Sequence, residues 1–319
     1  MTKLTPSTID SLLRGASLLA CGGGLKLSEQ RRLAAGKSVP LIDPSRLPAN
    51  AWCATVSEVG AADAPVMVKT KLPQAVKLLE AKTGKKIVAL IPPEIGQEAI
   101  VIDAAAITGL PIVDSDLAGC RAVPRLNNLA LVVQGIKFTM SPAVVLTLSG
   151  RMQFILRQAN LEADETRVRR LVPKGQVVTL VGGLVSAATI KQYLNYHSCT
   201  TAIKLGSALK KGQPLRQVLP TPILLGPKTI IIKTIQPVTS RGFDSKIVAM
   251  IIDGQKAKLE VENEYMKLQF NRQRFAFPQL IMIFDQKGGQ GIHSSDLVQG
   301  KSYDLVVADA FAFWKGAKI

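Results

Sequence analysis

The sequence predicts an α/β layered amino-terminal domain followed by a mainly β, barrel-like carboxyl-terminal domain. Three observations carry that prediction. The chain has 319 residues, room for two domains of the usual ~150-residue size. Up to about residue 145, short apolar runs alternate with helical patterns, the signature of a layered α/β body. Beyond that the texture changes to many short apolar runs separated by turns, which reads as β-rich. The division is placed at 165/166, giving domains over 1–165 and 166–319.

In the first domain, Thr5 to Ala20 reads as a helix, because Ile9, Leu12, Leu13, Ala16 and Leu19 share one face. The run Cys21-Gly22-Gly23-Gly24 ends it, as glycine does at helix carboxyl ends. Leu27 to Ala35 reads as a second helix with Ser28 as its cap. Ala51 to Val59 and Pro65 to Val68 are strand candidates. Pro73 to Lys82 is helical, Lys86 to Ile91 a buried-type strand, Gly96 to Thr108 a helix and Leu110 to Val113 another buried strand. Past about residue 145, Arg151 to Val172 reads as a charged, mostly helical connector across the division, and Val177 to Ile190, on its carboxyl side, is apolar and punctuated by glycine.

In the second domain, Ile203 to Lys210 is helical and Gly212 stops it. Strand candidates follow at Ile230 to Ile235, Lys246 to Ile252, Lys256 to Val261, Gln279 to Phe284 and Tyr303 to Val307. Asp253-Gly254 between two of them is a two-residue hairpin signal.

Composition narrows the function classes. Hydrophobic residues make up 47% and charged residues 20%, which excludes a disordered tail protein. Four cysteines exclude a disulfide scaffold and fit a reducing compartment, so a cytoplasmic location is expected. No apolar stretch reaches the ~18 residues of a membrane span, and Asp10 and Arg14 interrupt the one amino-terminal run that resembles a signal peptide. The formal charge is +17. Residues 1–150 hold 16 Lys/Arg against 11 Asp/Glu, leaving 24 against 12 in the rest, so the excess sits in the carboxyl half. Aromatics are only 5% and the basic residues are scattered, which argues against a nucleic-acid reader and for solvation or an acidic partner surface.

Candidate chemistry gathers where strands run into polar residues, since ligands in α/β sheets bind at the carboxyl ends of strands. Glu94, in Pro93-Glu94-Ile95-Gly96-Gln97-Glu98, follows a buried strand and opens a helix. It reads either as a catalytic carboxylate or as a charge favoured by the helix dipole. Asp114 and Asp116 follow the next strand at i and i+2. If the strand continues, both face one side, repel, and raise one pKa or attract a cation; otherwise they are turn and cap residues. Cys120 beside Arg121 is either an activated thiol or a small buried one. His197 and Cys199 supply two metal donors where zinc needs three or four, so a metal is left open but unsupported by spacing. Glycines 22 to 24 either terminate a helix or admit a ligand close to the backbone.

Taken in order, these segments resemble the S-methyl thiohydantoin desulfurase family. The resemblance rests on Ala20-Cys-Gly-Gly-Gly24, Val59-Gly60 before Ala64-Pro65-Val66, Glu94-Ile95-Gly96, Gly109-Leu-Pro-Ile-Val-Asp-Ser-Asp116 and Gly119-Cys-Arg-Ala-Val-Pro124. Arg241-Gly242-Phe243, Asn263-Glu264, Pro278-Gln-Leu-Ile281, Gly300 and Trp314 continue it through the carboxyl half. The family implies the same two-domain fold and hydrolysis of an S-methylated thiohydantoin ring to a hydantoin with release of methanethiol. On that reading Glu94, Asp114, Asp116, Cys120 and Arg121 are the catalytic candidates. Gly22, Gly23, Gly24, Gln97 and Asn263 are the substrate-binding candidates. The expected partner is a small cyclic amide or thiohydantoin-like substrate, with room for a homo-oligomer and with cofactors left open. Lys69, Lys71, Arg125 and Gln279 stand where the family pattern has or adjoins acidic residues. The alternative is therefore a diverged, non-catalytic relative acting as a binding or partner subunit.

Overall fold

The structure is a computed structural model that describes residues 2–60, 71–173, 176–194, 196–238, 244–286 and 289–314. The strand expected at Pro65 to Val68 and the segment Arg241 to Phe243 lie outside them. The first body is an eight-stranded mixed sheet with helices. Its strands are β1 (Thr2–Leu4), β2 (Val39–Ile42), β3 (Trp52–Gly60), β4 (Ile87–Leu90), β5 (Ile112–Val113), β6 (Ala143–Leu146), β7 (Met152–Ile155) and β8 (Val177–Ser186). They lie in the order β1-β2-β5-β4-β3-β8-β6-β7. β2, β5, β4 and β3 run parallel, so their carboxyl ends open on one side. The helices are α1 (Pro6–Leu19), α2 (Leu27–Ala34), α3 (Leu72–Thr83), α4 (Glu98–Thr108), α5 (Ala130–Val133), α6 (Leu161–Arg169), α7 (Ala187–Tyr193) and α8 (Ser198–Lys210).

Local chemistry explains most of these elements. Thr5 caps α1 by accepting from Thr8 N–H, Pro6 opens its first turn, and all five residues of the expected apolar face are buried. α2 starts without the Ser28 cap: Lys26 precedes it and offers no side-chain bond. α1 and α8 cross at glycines, since a Cβ on Gly15 would enter the Ala202 carbonyl and one on Gly206 the Ser11 carbonyl. Arg151 to Val172 is not one helical connector. It divides into β7, paired antiparallel to β6 at the sheet edge, and the short α6 capped by Asn160. The sheet also takes in β8, which pairs with both β3 and β6 beyond residue 165.

The second body is an antiparallel seven-stranded sheet curled into a half-barrel. Its strands are β9 (Ile223–Pro237), β10 (Ser245–Ile252), β11 (Gln255–Glu262), β12 (Glu264–Phe270), β13 (Gln273–Ala276), β14 (Leu280–Phe284) and β15 (Ser302–Ala308). The Asp253-Gly254 turn closes β10 onto β11 with φ of 49° and 78°, both left-handed as a two-residue hairpin requires. Asn271-Arg272 closes β12 onto β13 with φ of 49° and 64°. That pair contains no glycine, so its hairpin gave no sequence signal.

The two bodies share β14 and β15. Leu280, Met282 and Phe284 enter the first core, and Ile281 and Ile283 the second. β15 alternates likewise, Val306 and Ala308 against Leu305 and Val307. A strand buried on both faces has no polar position, which is why Leu280–Phe284 is uniformly apolar.

Candidate functional site

The site forms where the carboxyl end of β4 meets the start of β12. After β4 the chain continues through Ile91-Pro92-Pro93 to Glu94. Glu94 is 9% exposed. Its Oε2 accepts from Val123 N–H at 2.9 Å and its Oε1 from Gln97 Nε2 at 2.6 Å. Burial pushes this carboxyl up to about 7, against the pull of those two donors.

Glu264, the first residue of β12, brings a second carboxyl from the other body. It is 3% exposed. Burial first, and then the charge of Glu94, push it well above the usual range, while Arg121 opposes them. Its Oε2 has no hydrogen-bond partner among the described residues. The glycine run makes room for it. A Cβ on Gly23 would enter the Glu264 carboxyl, one on Gly24 would stand 2.7 Å from Gly96 Cα, and one on Gly22 2.7 Å from Tyr265 Cζ. The Cys21 carbonyl accepts from Tyr265 N–H at 2.7 Å and the Gly22 carbonyl from Ser294 N–H at 2.8 Å. The run thus ends α1 and also docks the half-barrel against the first body.

These residues border a cavity of about 560 Å³ between the bodies. Gly23, Gly24, Glu94, Gln97, Asn263, Glu264, His293 and Ser294 line one part of it. The His293 Nδ1 accepts from Ser295 N–H, so Nε2 carries the proton and donates to the Gly24 carbonyl at 3.2 Å. Burial lowers the His293 pKa and favours this neutral ring. Asn263 reaches the wall, and its Oδ1 accepts from Asp244 N–H at 2.9 Å to shape the turn before β12.

The structure therefore joins five of the sequence candidates at the cavity: Glu94, Gln97, Gly23, Gly24 and Asn263. Gly22, Asp114, Asp116, Cys120 and Arg121 lie off its wall. Asp114 turns to α8, where its Oδ1 accepts from Thr200 N–H at 2.9 Å and its Oδ2 from Thr200 Oγ1 at 2.6 Å. Asp116 is held by its own loop, accepting from Ala118, Gly119 and Cys120 N–H at 2.7, 2.6 and 3.0 Å. The strand ends at Val113, so the two carboxylates do not share a face. Burial, with those N–H donors pulling against it, raises Asp116 to about 6. Cys120 is 1% exposed and burial pushes its thiol well above the ordinary range. The depressed pKa expected from its neighbour Arg121 is not what this burial produces.

Arg121 is fully buried. It donates from Nη1 to the Gln279 carbonyl at 2.8 Å and from Nε to the Ala122 carbonyl at 3.0 Å. Its guanidinium stacks 4.6 Å from the Phe277 ring. Its Nη2 has no partner among the described residues, and its charge lowers both Glu94 and Glu264. It stands behind the carboxyl pair. His197 approaches Asp114 at 3.3 Å, and Cys199 is buried. Among the described residues no group of three or more His, Cys, Asp or Glu side chains could hold a metal ion.

Sequence reasoning passed over Glu264, although it read the pair Asn263-Glu264, and over His293, one of only two histidines. Both acquire meaning only when β12 and the 289–296 loop meet the glycine run.

Comparisons with known proteins bear on the whole chain. The family model described as "S-Me-THD-like, N-terminal domain" matches residues 7–157, and "S-Me-THD-like, C-terminal domain" matches 159–318. The crystal structure of a Chromobacterium violaceum protein from a structural genomics consortium superposes with a TM-score of 0.77 at 23% identity. The match covers 99% of this chain and 93% of that one, and it shows the shared fold. No curated protein matches. Among the described residues no helix is long and apolar enough to cross a membrane.

Proposed function

The chain belongs to the S-Me-THD-like family, and on that premise we propose that it hydrolyses an S-methylated thiohydantoin-type ring to a hydantoin, releasing methanethiol. The observation that carries the reading is the Glu94–Glu264 pair, two buried carboxyls from two bodies, charge-coupled on one cavity wall. Burial that raises both carboxyls of a pair suits one to act as base and the other as acid.

In this scheme Glu94, with its pKa near 7, takes a proton from water. The hydroxide oxygen bonds to the ring carbon that bears the thiomethyl group, and the adjacent C=N π pair moves to nitrogen. Glu264, whose hold on its proton burial and the charge of Glu94 strengthen, gives that proton to sulfur as the C–S bond breaks. Methanethiol leaves, the proton of the added hydroxyl passes to the ring nitrogen as the carbon becomes a carbonyl, and the proton on Glu94 returns to Glu264 through the next water. Arg121 lies close enough for its charge to act on both carboxyls, and it steadies the anionic form of the pair. Asp114, Asp116 and Cys120 have no step in it.

The test is methanethiol release from a panel of S-methyl thiohydantoins, with and without a chelator. Release that is lost in Glu94→Gln and in Glu264→Gln, both folded, supports the reading. Release unchanged in both variants overturns the site. Absence of release from every compound favours the diverged binding relative.

A further inference from the structure

The cavity is much larger than a five-membered ring and its two parts differ in chemistry. From Val123, whose N–H holds Glu94, the chain runs along the wall to Leu126. There the lining becomes Leu126, Met140, Val168 and Leu180, part of a hydrophobic cluster beneath α6. Three carboxyls, Glu58, Asp164 and Glu165, also line the cavity, and of these Asp164 alone is buried. Asp164, one helical turn before Val168 on α6, lines the cavity and is 2% exposed. Its Oδ2 accepts from Met140 N–H at 2.6 Å and Ser141 N–H at 3.3 Å, while its Oδ1 has no partner. Among the described residues no cation pairs with it. The nearby Arg169 is committed to Glu165, at 2.9 and 2.7 Å.

A buried carboxylate with an unmatched oxygen is costly, and a cation that reaches it removes that cost. Apolar walls leading to such a carboxylate fit an alkyl stem with a charged tip. We propose that the substrate's ring carries, at C5, a linear alkyl arm ending in an ammonium, with the stem on Leu126, Met140, Val168 and Leu180 and the ammonium on Asp164. The proposal rests on the ring chemistry of the preceding section and adds the identity of the ring's substituent.

The experiment compares S-methyl thiohydantoins bearing butyl, 4-hydroxybutyl and 4-aminobutyl arms at C5. Wild-type protein is expected to turn over the aminobutyl compound with a kcat/KM about tenfold or more above the butyl compound, with the hydroxyl between them. In Asp164→Asn, which keeps an oxygen for Met140 N–H, that ratio is expected to fall towards one, with a melting curve to verify folding. A wild-type ratio of one or below overturns the proposal whatever the variant does. A ratio that persists in folded Asp164→Asn overturns it as well. If no compound is turned over, the hydrolase reading has failed on its own. Calorimetry of the three matching hydantoins then decides this proposal by the same ratio of affinities.

Discussion

The Glu264 carboxyl occupies the space that a side chain on Gly23 would fill. One residue follows a helix of the first body and the other begins a strand of the second, so the backbone of one body is the seat of the other's carboxyl. Gly23→Ala must displace Glu264 or part the bodies. Methanethiol release should fall at least tenfold, with a loss of stability of about 1–3 kcal/mol from overpacking, read from paired rate and denaturation measurements.

Glu94→Gln keeps a carbonyl oxygen for Val123 N–H and removes the titrating group. Release should drop by about 10²–10⁴-fold, the usual share of a general base. In the wild type the rate should rise with pH through about 7, following the Glu94 carboxyl, and this limb should vanish in the variant. A pH–rate profile that keeps the limb without Glu94 would move the base elsewhere.

Stability should decrease as pH rises from 6.5 to 8. Burial raises Glu94 from 4.5 to about 7 and Glu98 from 4.5 to about 8. In this window the folded state therefore holds protons that the unfolded chain has lost. Their contribution is complete below about 4.5 and disappears as pH climbs through the folded values. His293, lowered from 6.5, acts in the opposite direction, but only below that pH. Glu98→Gln should flatten the slope of melting temperature against pH and stabilise the protein at pH 8 by about 1–3 kcal/mol.

Asp114 ties the end of β5 to the first turn of α8 through both Thr200 donors. Asp114→Ala should cost about 1–3 kcal/mol by loss of this cap. The kcat per folded molecule should change little. A collapse of kcat with unchanged melting would restore Asp114 to the chemistry.

All four cysteines are buried and unpaired, and burial raises the thiols of Cys21, Cys53, Cys120 and Cys199. A thiol-alkylating reagent at pH 7 should leave native protein unlabelled for as long as it stays folded, and should label four sites in denaturant. Cys120→Ala should retain release within a few fold. Rapid native labelling of Cys120 with loss of activity would reinstate it as nucleophile.

The layered fold was legible because its signals are local. The apolar face of α1, the short strands running into glycine or acid, and the Asp253-Gly254 turn all declare themselves within a few residues. Glu94 was legible for the same reason, as a carboxyl just past a buried strand. Glu264 and His293 were not, because what makes them unusual is burial against a loop more than 240 residues away in sequence. The Asp114–Asp116 spacing pointed away from the cavity because β5 stops at Val113 and each carboxyl is taken up by its own donors, Asp114 by Thr200 and Asp116 by the N–H groups of its loop. The β12–β13 hairpin was invisible because Asn271 and Arg272 adopt left-handed backbone without a glycine to announce it.

β8 belongs by sequence to the segment matched by the carboxyl-terminal family model, yet it lies between β3 and β6 in the first sheet. A gene fragment ending at residue 158 would encode that sheet with its middle missing, five strands on one side of the gap and two on the other. The complementary fragment would carry a ten-residue strand with nothing to pair with. The two family segments are thus not separate units of folding. Natural recombination at their junction could succeed only by exchanging both together.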